Sequence, residues 1–517
     1  MNQDRVEGEK VQQENMGENA VQDVEAQKGN TQEKKVKVDD VPVEETDENP
    51  RNWPSRRKWI NLILASLLGF VSPMASTIIA PGLGDIGQEF KITSSILLSF
   101  SMSIYMLGYA IGQLIFNPLT EVVGRLFVQH LSTILFVVFN VACAVSPNGA
   151  CFIVMRLLTG LFGSGLLSLG AANIADMFEP KDRGRAMSVF AMGVNLGPVI
   201  GPIIAGFMVD SIGFRWVLWL MVILGGFLLA VCVVFLRETY LPIIKLRHKS
   251  RKSFKNPILR AAALRFYPHA IRIPPSQLVF QYLFRPLHML FTSPICAILS
   301  LELGLVYGYL YLLMTSVART YNTAYNQSNS IAGLHYIAFA IGTVAGLLTT
   351  GALADRIYKK LTKKYGKREI GPDGKESQPK GVPEYRLPLL VPSTLCAPIG
   401  LFLFGWPAQY HVHWIVPDIG LVFFGFAFMA TFIVIQVYTL DAFKFSASAI
   451  GATNLVRCLF GAFLPLAASS LFDNLGLGWG SSTLAFISIA LGIPAPFILW
   501  VYGPKLRAMD SPTVTNN

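Results

Sequence analysis

Twelve runs of apolar residues, each about 20 residues long and almost free of charge, constrain this chain more than any other feature. The hydrocarbon core of a membrane is about 30 Å thick, and roughly 20 residues of helix cross it. The runs therefore predict twelve membrane-spanning helices, at residues 60–80, 97–116, 127–146, 151–173, 186–208, 216–236, 293–315, 331–353, 388–406, 414–438, 446–471 and 483–502. The composition agrees, because 52% of the 517 residues are hydrophobic and 15% are charged.

The predicted spans form two groups of six, separated by a basic loop with 11 basic residues and one acidic residue. The first 50 residues hold 14 acidic and six basic residues and no aromatic residue, which predicts a disordered tail. We expect an all-α integral membrane protein with two pseudo-symmetric six-helix halves. The predicted parts are an acidic tail (1–50), an N-terminal half (51–236), a basic linker (237–291), a C-terminal half (292–507) and a C-terminal tail (508–517).

Lys and Arg are distributed unevenly among the loops, and this predicts the orientation of the chain. With the N-terminus in the cytoplasm, the cytoplasmic loops and flanks hold 32 of the 37 basic residues that follow Pro50, and the other side holds three. Cytoplasmic loops retain Lys and Arg, so both termini are predicted to be cytoplasmic. Asn326 begins an N-x-S sequon on the other side and is a predicted glycosylation site. Because the basic excess lies in these loops, a nucleic-acid partner is not expected.

Two corresponding loops, which follow spans 2 and 8, carry similar charge clusters 234 residues apart. An acidic residue near the end of each span is followed closely by an arginine. Such a cluster can join neighbouring helix ends in one conformation and release them in another, although ordinary cytoplasmic flanking charge is the alternative interpretation. The residues of this predicted cytoplasmic gate are Glu121, Gly124, Arg125, Asp355 and Arg356.

These motifs resemble the major facilitator superfamily, and in particular its fungal twelve-span drug:proton antiporter branch. The loop from Leu119 to Arg125 is similar to the G-x-L-x-D-R-x-G-R motif of the superfamily, and Gly351 to Arg356 is its second copy. Further similar elements are Asn49–Pro54, Arg156 with Gly160, Asp176–Phe178, Arg183–Ala186 and Tyr502–Arg507. The resemblance implies alternating access between the halves and export of small hydrophobic or amphipathic molecules in exchange for protons. It also implies a monomer in the plasma membrane, with the vacuolar membrane as the alternative.

Span 5 carries small residues at a spacing of four, which form one shallow helix face. Pro198 and Pro202 remove backbone donors from the same span and bend it. The resemblance to an antiporter motif, together with the row Ala338, Gly342 and Gly346 in span 8, predicts that spans 5 and 8 meet in a tight seam between the halves. The seam residues of span 5 are Gly193, Gly197, Pro198, Gly201 and Pro202.

Two charged residues within the spans are the strongest candidates for proton coupling. An unpaired charge in hydrocarbon costs roughly 2.5 to 3.5 kcal/mol or more, so Arg156 and Glu302 must face protein or water. The resemblance assigns proton coupling to Arg156; capping of a neighbouring helix's carbonyls is the alternative. Glu302 is predicted near the bilayer midplane, facing the cavity together with Tyr309. It could carry a proton, bind a cationic substrate or remain a protonated structural carboxyl.

Other polar residues in the spans complete the list of candidates. A possible pocket for a flat apolar ligand comprises Tyr105, Tyr109, Asn195, Tyr307, Gln436 and Asn454. Asp418 is expected to lie hydrated at a helix N-terminus near the outer interface.

We expect a secondary transporter whose partners are a small-molecule substrate, protons and lipid. No Walker loop, H-E-x-x-H or G-x-S-x-G motif is present, so neither an enzyme nor a primary pump is expected, and no metal or cofactor is predicted. The alternatives are proton-coupled uptake, a polyamine carrier that uses Glu302, and a sensor of the same fold that does not transport.

Overall fold

The computed structural model describes residues 48–245, 284–366, 381–443 and 445–509. Nearly all of the predicted acidic tail, most of the basic linker and all but two residues of the C-terminal tail lie outside the described residues, so the predictions made for them are not tested. We call the end of the bundle at Gly124, Arg183 and Asp355 the basic end, and the end at Lys91 and Asn326 the opposite end.

Long helices make up most of the described chain. The N-terminal half contains α1 (Ser55–Thr77), α2 (Leu83–Glu89), α3 (Ser95–Val123), α4 (Arg125–Ala144), α5 (Gly149–Met177), α6 (Pro180–Ile212) and α7 (Phe214–Phe235). The C-terminal half contains α8 (Arg285–Thr292), α9 (Pro294–Ala324), α10 (Asn329–Leu334), α11 (Tyr336–Tyr365), α12 (Leu390–Gln409), α13 (Ile415–Ala442), α14 (Ser446–Phe463), α15 (Leu466–Gly492) and α16 (Pro494–Met509).

Eleven stretches of described helix are long and apolar enough to cross a membrane. The predicted span 446–471 is divided between α14 and the start of α15, because Pro465 lacks the N–H that would continue the helix. A second break lies inside α15 at Gly476, whose φ of 75° favours glycine. The rest of α15 and α16 provide the last predicted span. The all-α membrane fold predicted from the sequence is confirmed.

Each half is packed tightly, and the halves meet along a small set of helices. Within the halves, α3 packs along α5, and α13 packs along α11 and α12. Between the halves, α3 contacts α14 and α15, while α6 contacts α10 and α11. Near the middle, the hydroxyl groups of Ser76 and Tyr311 form a hydrogen bond between the halves (2.8 Å), and Nε2 of Gln113 donates to Sγ of Cys458 (4.0 Å).

Spans 5 and 8 meet as predicted, since α6 contacts α11, but the predicted glycine rows do not form this contact. Gly197 on α6 faces α1 in the same half, where a Cβ would lie 2.5 Å from the carbonyl oxygen of Phe70. Likewise a Cβ on Gly346 would lie 2.7 Å from the carbonyl oxygen of Phe426 on α13. Small residues at a spacing of four show that some helix backbone comes close, but they do not show which one. Gly193 and Gly201 face α1 in the same way, and Gly342 faces α13.

Pro198 of α6 also contacts α1. Pro202 has no N–H to donate to the carbonyl of Pro198, and the hydroxyl of Thr77 on α1 donates to that carbonyl instead (2.7 Å). Gly206 and Asp210 of α6 reach the other half, where Asp210 accepts from the backbone N–H and the hydroxyl of Ser330 on α10 (both 2.6 Å). A Cβ on Gly206 would lie 2.6 Å from the carbonyl oxygen of Asn329 and 3.0 Å from the Cα of Gly333.

Candidate functional site

Four tyrosines and two arginines lie close together near the middle of the bundle, where α1, α3, α5, α9 and α14 converge. We call them the central cluster, and they are Tyr105, Tyr109, Arg156, Tyr307, Tyr311 and Arg457. Each is at most 6% exposed. Tyr105 and Tyr109 stack on α3 with ring centroids 6.0 Å apart.

Arg156 is fully buried and bound to backbone. Its Nη1 and Nη2 donate to the carbonyl oxygens of Ala75 and Ser76 (2.8 and 3.0 Å), and its guanidinium lies 4.9 Å from the ring centroid of Tyr105. These carbonyls belong to the end of α1, where no later helical N–H reaches them. The geometry matches the capping alternative. Participation of Arg156 in proton coupling stays a prediction.

Arg457 also lies within a predicted span, 446–471, but the sequence predicted no function for it. Its Nη1 donates to the hydroxyl of Tyr307 (2.5 Å), and its guanidinium lies 4.6 Å from that ring and 5.7 Å from the ring of Phe432. Its Nε has no hydrogen-bond partner within the described residues. Oδ1 of Asn454, one helical turn away, and the hydroxyl of Tyr109 are also buried without a partner in that part of the chain.

The structure brings together only part of the predicted pocket. Tyr105, Tyr109 and Tyr307 lie in the central cluster, and Asn454 lies beside it. Asn195 instead donates to the carbonyl of Ala191 within α6 (2.9 Å). Gln436 is half-buried and makes no hydrogen bond within the described residues.

Glu302 does not lie between the halves, contrary to the prediction that it faces the cavity. A Cβ on Gly492 would lie 3.2 Å from its Oε1, so the carboxylate packs against the end of α15. Tyr309 shares this side of α9, as predicted, and its hydroxyl donates to the carbonyl of Leu484, also on α15 (3.1 Å). The sequence placed Glu302 correctly away from the glycine face but could not show that α15 covers the other face. A cationic substrate held between the halves would not meet this carboxylate.

A crevice of about 720 Å³ separates the halves at the opposite end of the bundle. Its walls come from both halves and include Ser99, Thr315, Ser316, Arg319, Ser469 and Asp473. Thr315 lies one helical turn from Tyr311 on α9, which is roughly 6 Å along the helix axis. The hydroxyl pair of Ser76 and Tyr311 therefore lies on the side of the central cluster that faces the crevice.

At the basic end, Arg125 is the centre of a network that joins three helices of the N-terminal half. Its Nε donates to Asp176 at the end of α5 (3.2 Å), and its Nη1 donates to Thr120 (2.9 Å). Glu238, just after α7, accepts from the backbone N–H groups of Arg125 and Leu126 (3.1 and 3.2 Å) and so caps α4. The predicted gate did not include Glu238. The side chain of Glu121 lies outside the described part of the structure.

Gly124 is required in this network for two reasons. Its φ is 106°, which side-chain-bearing residues rarely adopt. A Cβ at this position would also lie 2.8 Å from Oε2 of Glu238. The glycine of the motif therefore lets the carboxylate reach the start of α4.

The second gate copy forms a similar network around Arg386, which the sequence did not suggest. Arg386 bridges Asp355 on α11 and Asp441 on α13, with N–O distances of 2.8 and 3.1 Å. The side chain of Arg356 is exposed. Nearby, Arg507 on α16 pairs with Glu384 (2.9 Å), and this pair is buried, with side chains 10% and 4% exposed.

The expectation that Asp418 stays hydrated is wrong. Asp418 is 7% exposed, accepts a hydrogen bond from the hydroxyl of Tyr321 (2.6 Å), and lies 2.9 Å from Nδ1 of His335. The rings of Tyr321 and His335 stack with centroids 3.5 Å apart. These partners come from α9 and the start of α11, so local sequence around Asp418 carries no sign of them.

The predicted glycosylation site is exposed. Asn326 lies in the short connection between α9 and α10, with a φ of 51°. Ser328 of the same sequon caps α10 by accepting from the N–H of Ile331 (3.5 Å). Glycosylation of Asn326 stays a prediction.

Comparison with known proteins accounts for this architecture. The profile described as Major Facilitator Superfamily matches residues 65–465. MFS transporter cpaT of Aspergillus oryzae is 41% identical over 460 residues, which cover 89% of each chain. Efflux pump radE of Floropilus chiversii is 36% identical over 464 residues, which cover 89% of this chain and 83% of radE.

Solved structures give the same fold. The proton:xylose symporter XylE bound to 6-bromo-6-deoxy-D-glucose superposes with a TM-score of 0.60 over 89% of this chain and 99% of XylE. The identity is 15%, so this likeness shows the fold alone. The profile match and the fungal relatives extend through both halves of the bundle, and the chain belongs to the Major Facilitator Superfamily, a family of membrane transporters and not of enzymes.

Proposed function

We propose that the protein exports small hydrophobic or amphipathic molecules in exchange for inward proton movement, by alternating access between its halves. The observation that carries this proposal is the crevice between the halves, whose floor lies one helical turn from a buried cluster of polar and aromatic side chains. A substrate that entered the central cluster from the basic end would leave through such a crevice. The relative named as an efflux pump supports the direction.

The networks around Arg125 and Arg386 are proposed to close the basic end. Each joins the ends of neighbouring helices through carboxylate and guanidinium groups. We place the basic end and both termini in the cytoplasm, on the distribution of Lys and Arg. We also propose that the protein works as a monomer in the plasma membrane and that Asn326 carries a glycan on the outer face.

Glu302 is proposed to carry the proton. Its carboxylate is 5% exposed and has no hydrogen-bond or ionic partner within the described residues. Burial without a partner disfavours the ionised form. A carboxyl group that binds a proton in one conformation and meets water in another would couple the two movements.

Liposomes with an acidic interior test the direction of exchange, because the result does not depend on how the protein inserts. The probes are 2-naphthalenesulfonate, 2-naphthalenesulfonamide and naphthylmethyl-trimethylammonium, none of which titrates near neutral pH. An antiporter should accumulate at least one of them inside acidic liposomes, relative to liposomes without protein. Accumulation only when the outside is acidic would show symport, and no gradient-dependent movement of any probe would overturn the proposal.

Replacing Glu302 with glutamine should reduce gradient-driven accumulation at least about tenfold, because the amide cannot release a proton. Exchange of labelled for unlabelled probe at equal pH should continue, since it needs no net proton movement. Asp182→Asn, which neutralises an exposed carboxylate, is the control and should match the unmodified protein. Full gradient-driven accumulation by Glu302→Gln would remove Glu302 from the mechanism.

A further inference from the structure

The central cluster holds two positive charges, and no carboxylate pairs with either of them within the described residues. The guanidinium groups of Arg156 and Arg457 form hydrogen bonds with backbone carbonyls and a tyrosine hydroxyl and lie beside aromatic rings. The carboxylates of the two gate networks and of Asp418 have their own partners. The middle of the bundle is therefore electropositive.

The two arginines differ in how well they are satisfied. Arg156 donates two hydrogen bonds to the end of α1, although its Nε, like that of Arg457, has no partner within the described residues. Arg457 donates to one neutral hydroxyl group, and it is 5% exposed on the helix that faces the other half. A buried cation is costly unless it is paired. Arg457 lies 11 residues after the start and 14 residues before the end of the predicted span 446–471, roughly 17 and 21 Å along a helix, so it cannot extend its guanidinium to either membrane surface.

The surroundings of Arg457 have the composition of a ligand site. Oδ1 of Asn454 and the hydroxyl of Tyr109 are buried without partners in the described residues, on the two helices that meet across the halves. Tyr307 and Phe432 provide ring faces beside the guanidinium, and Phe428 lies 5.1 Å from Tyr307 by ring centroids. Such a site offers a cation, two further polar atoms and aromatic walls.

We infer that Arg457 recognises the negative charge of the transported molecule, which is an organic anion with a flat, largely apolar body. The inference rests on the proposed function, in that it takes the central cluster as the place where substrate binds. The anion would complete the hydrogen bonds of Arg457, and the rings of Tyr307 and Phe432 would contact the apolar body. This assignment replaces the cationic substrate that Glu302 suggested in the sequence.

Binding of the three naphthalene probes to the purified full-length protein in detergent, at one pH, tests the inference. A hydrogen bond to a charged group contributes roughly 1.5 to 3 kcal/mol and a neutral one about 0.5 to 1.5 kcal/mol, and a difference of about 1 to 1.5 kcal/mol corresponds to a factor of about five to ten in Kd. The sulfonate should therefore bind at least about fivefold more tightly than the sulfonamide, and more tightly still than the trimethylammonium probe. Equal or weaker binding of the sulfonate would overturn the inference.

Substitutions then assign the selectivity to Arg457. Arg457→Gln should bring the sulfonate to within about threefold of the sulfonamide, and Arg457→Lys should keep a preference for the sulfonate because it keeps the charge. Lys359→Gln removes one exposed positive charge at the basic end and should leave the preference unchanged. An unchanged sulfonate preference in a folded Arg457→Gln protein would overturn the inference.

These measurements separate the inference from the proposed function. Binding at one pH involves no gradient, so selective sulfonate binding without accumulation in acidic liposomes would refute proton-coupled export and keep the anion site. Accumulation of the sulfonamide and the trimethylammonium probe without selective sulfonate binding would refute the anion site and keep proton-coupled export. Melting curves of the Arg457 variants show whether each is folded, and the comparison of probes on the unmodified protein stands without them.

Discussion

Replacing Gly206 with valine should reduce transport at least about tenfold while the protein stays folded. Gly206 on α6 touches the backbone of α10 in the other half, where a Cβ would lie 2.6 Å from the carbonyl oxygen of Asn329. Backbone cannot move aside as a flexible side chain can, so the added side chain must push the halves apart at the opposite end. Overpacking of this kind costs about 1 to 3 kcal/mol, which corresponds to a population shift of about five- to 150-fold between two conformations.

The control is Gly226→Val on α7, because a Cβ at Gly226 would meet nothing within 4 Å. Both variants should have the same melting temperature within a few degrees. Dyes on cysteines introduced at Trp216 and Tyr410, which are exposed at the opposite end of the two halves, should report a longer distance in Gly206→Val alone. The native cysteines are replaced by serine in all samples. Normal transport and an unchanged dye distance in Gly206→Val would show that the halves do not close on this glycine.

Replacing Glu384 with glutamine should lower the free energy of unfolding by about 3 to 5 kcal/mol, because it leaves the buried guanidinium of Arg507 without its counter-ion. The pair links the 3-10 helix Pro383–Leu389, which precedes α12, to α16 and is nearly inaccessible to solvent. Unfolding by SDS in mixed micelles measures the loss.

An exposed pair of the same chemistry provides the matched control. Glu89 lies 2.6 Å from Arg215, and the two side chains are 43% and 36% exposed. Glu89→Gln should cost no more than about 1 kcal/mol. A double variant, Glu384→Leu with Arg507→Met, should recover most of the loss, since an apolar pair of similar volume needs no desolvation of charge. Equal losses for Glu384→Gln and Glu89→Gln would show that the pair at the basic end is hydrated.

The sequence predicted the fold because membrane insertion leaves few choices. Runs of about 20 apolar residues cannot be placed elsewhere, and every backbone donor in lipid must be satisfied within a helix. The gate motif was informative for a similar reason: the positive φ of Gly124 and its contact with a carboxylate are demands that glycine alone meets at this position. Local constraints of this kind are visible in one stretch of sequence.

The site was less predictable, because its defining property is a relation between distant residues. The charge of Arg457 was visible, but its lack of a counter-ion depends on which helices surround α14. Asp418 was predicted to be hydrated because the residues around it in the sequence offer no partner. Its partners, Tyr321 and His335, are 97 and 83 residues away in the chain. The glycine face of α6 was assigned to the wrong neighbour for the same reason. A single sequence gives the face of a helix but not the helix that covers it.

The hydrogen bonds between the two halves have a mechanical consequence. Ser76 meets Tyr311 and Ser99 meets Ser469 through hydroxyl groups, and the carboxylate of Asp210 accepts two hydrogen bonds from Ser330, whereas the ion pairs described above each stay within one half. A neutral hydroxyl contact contributes about 0.5 to 1.5 kcal/mol net, and water replaces it once it parts. Water can therefore replace the hydroxyl contacts as the halves move apart. Because none of the ion pairs described above joins the halves, salt concentration should have little effect on this motion.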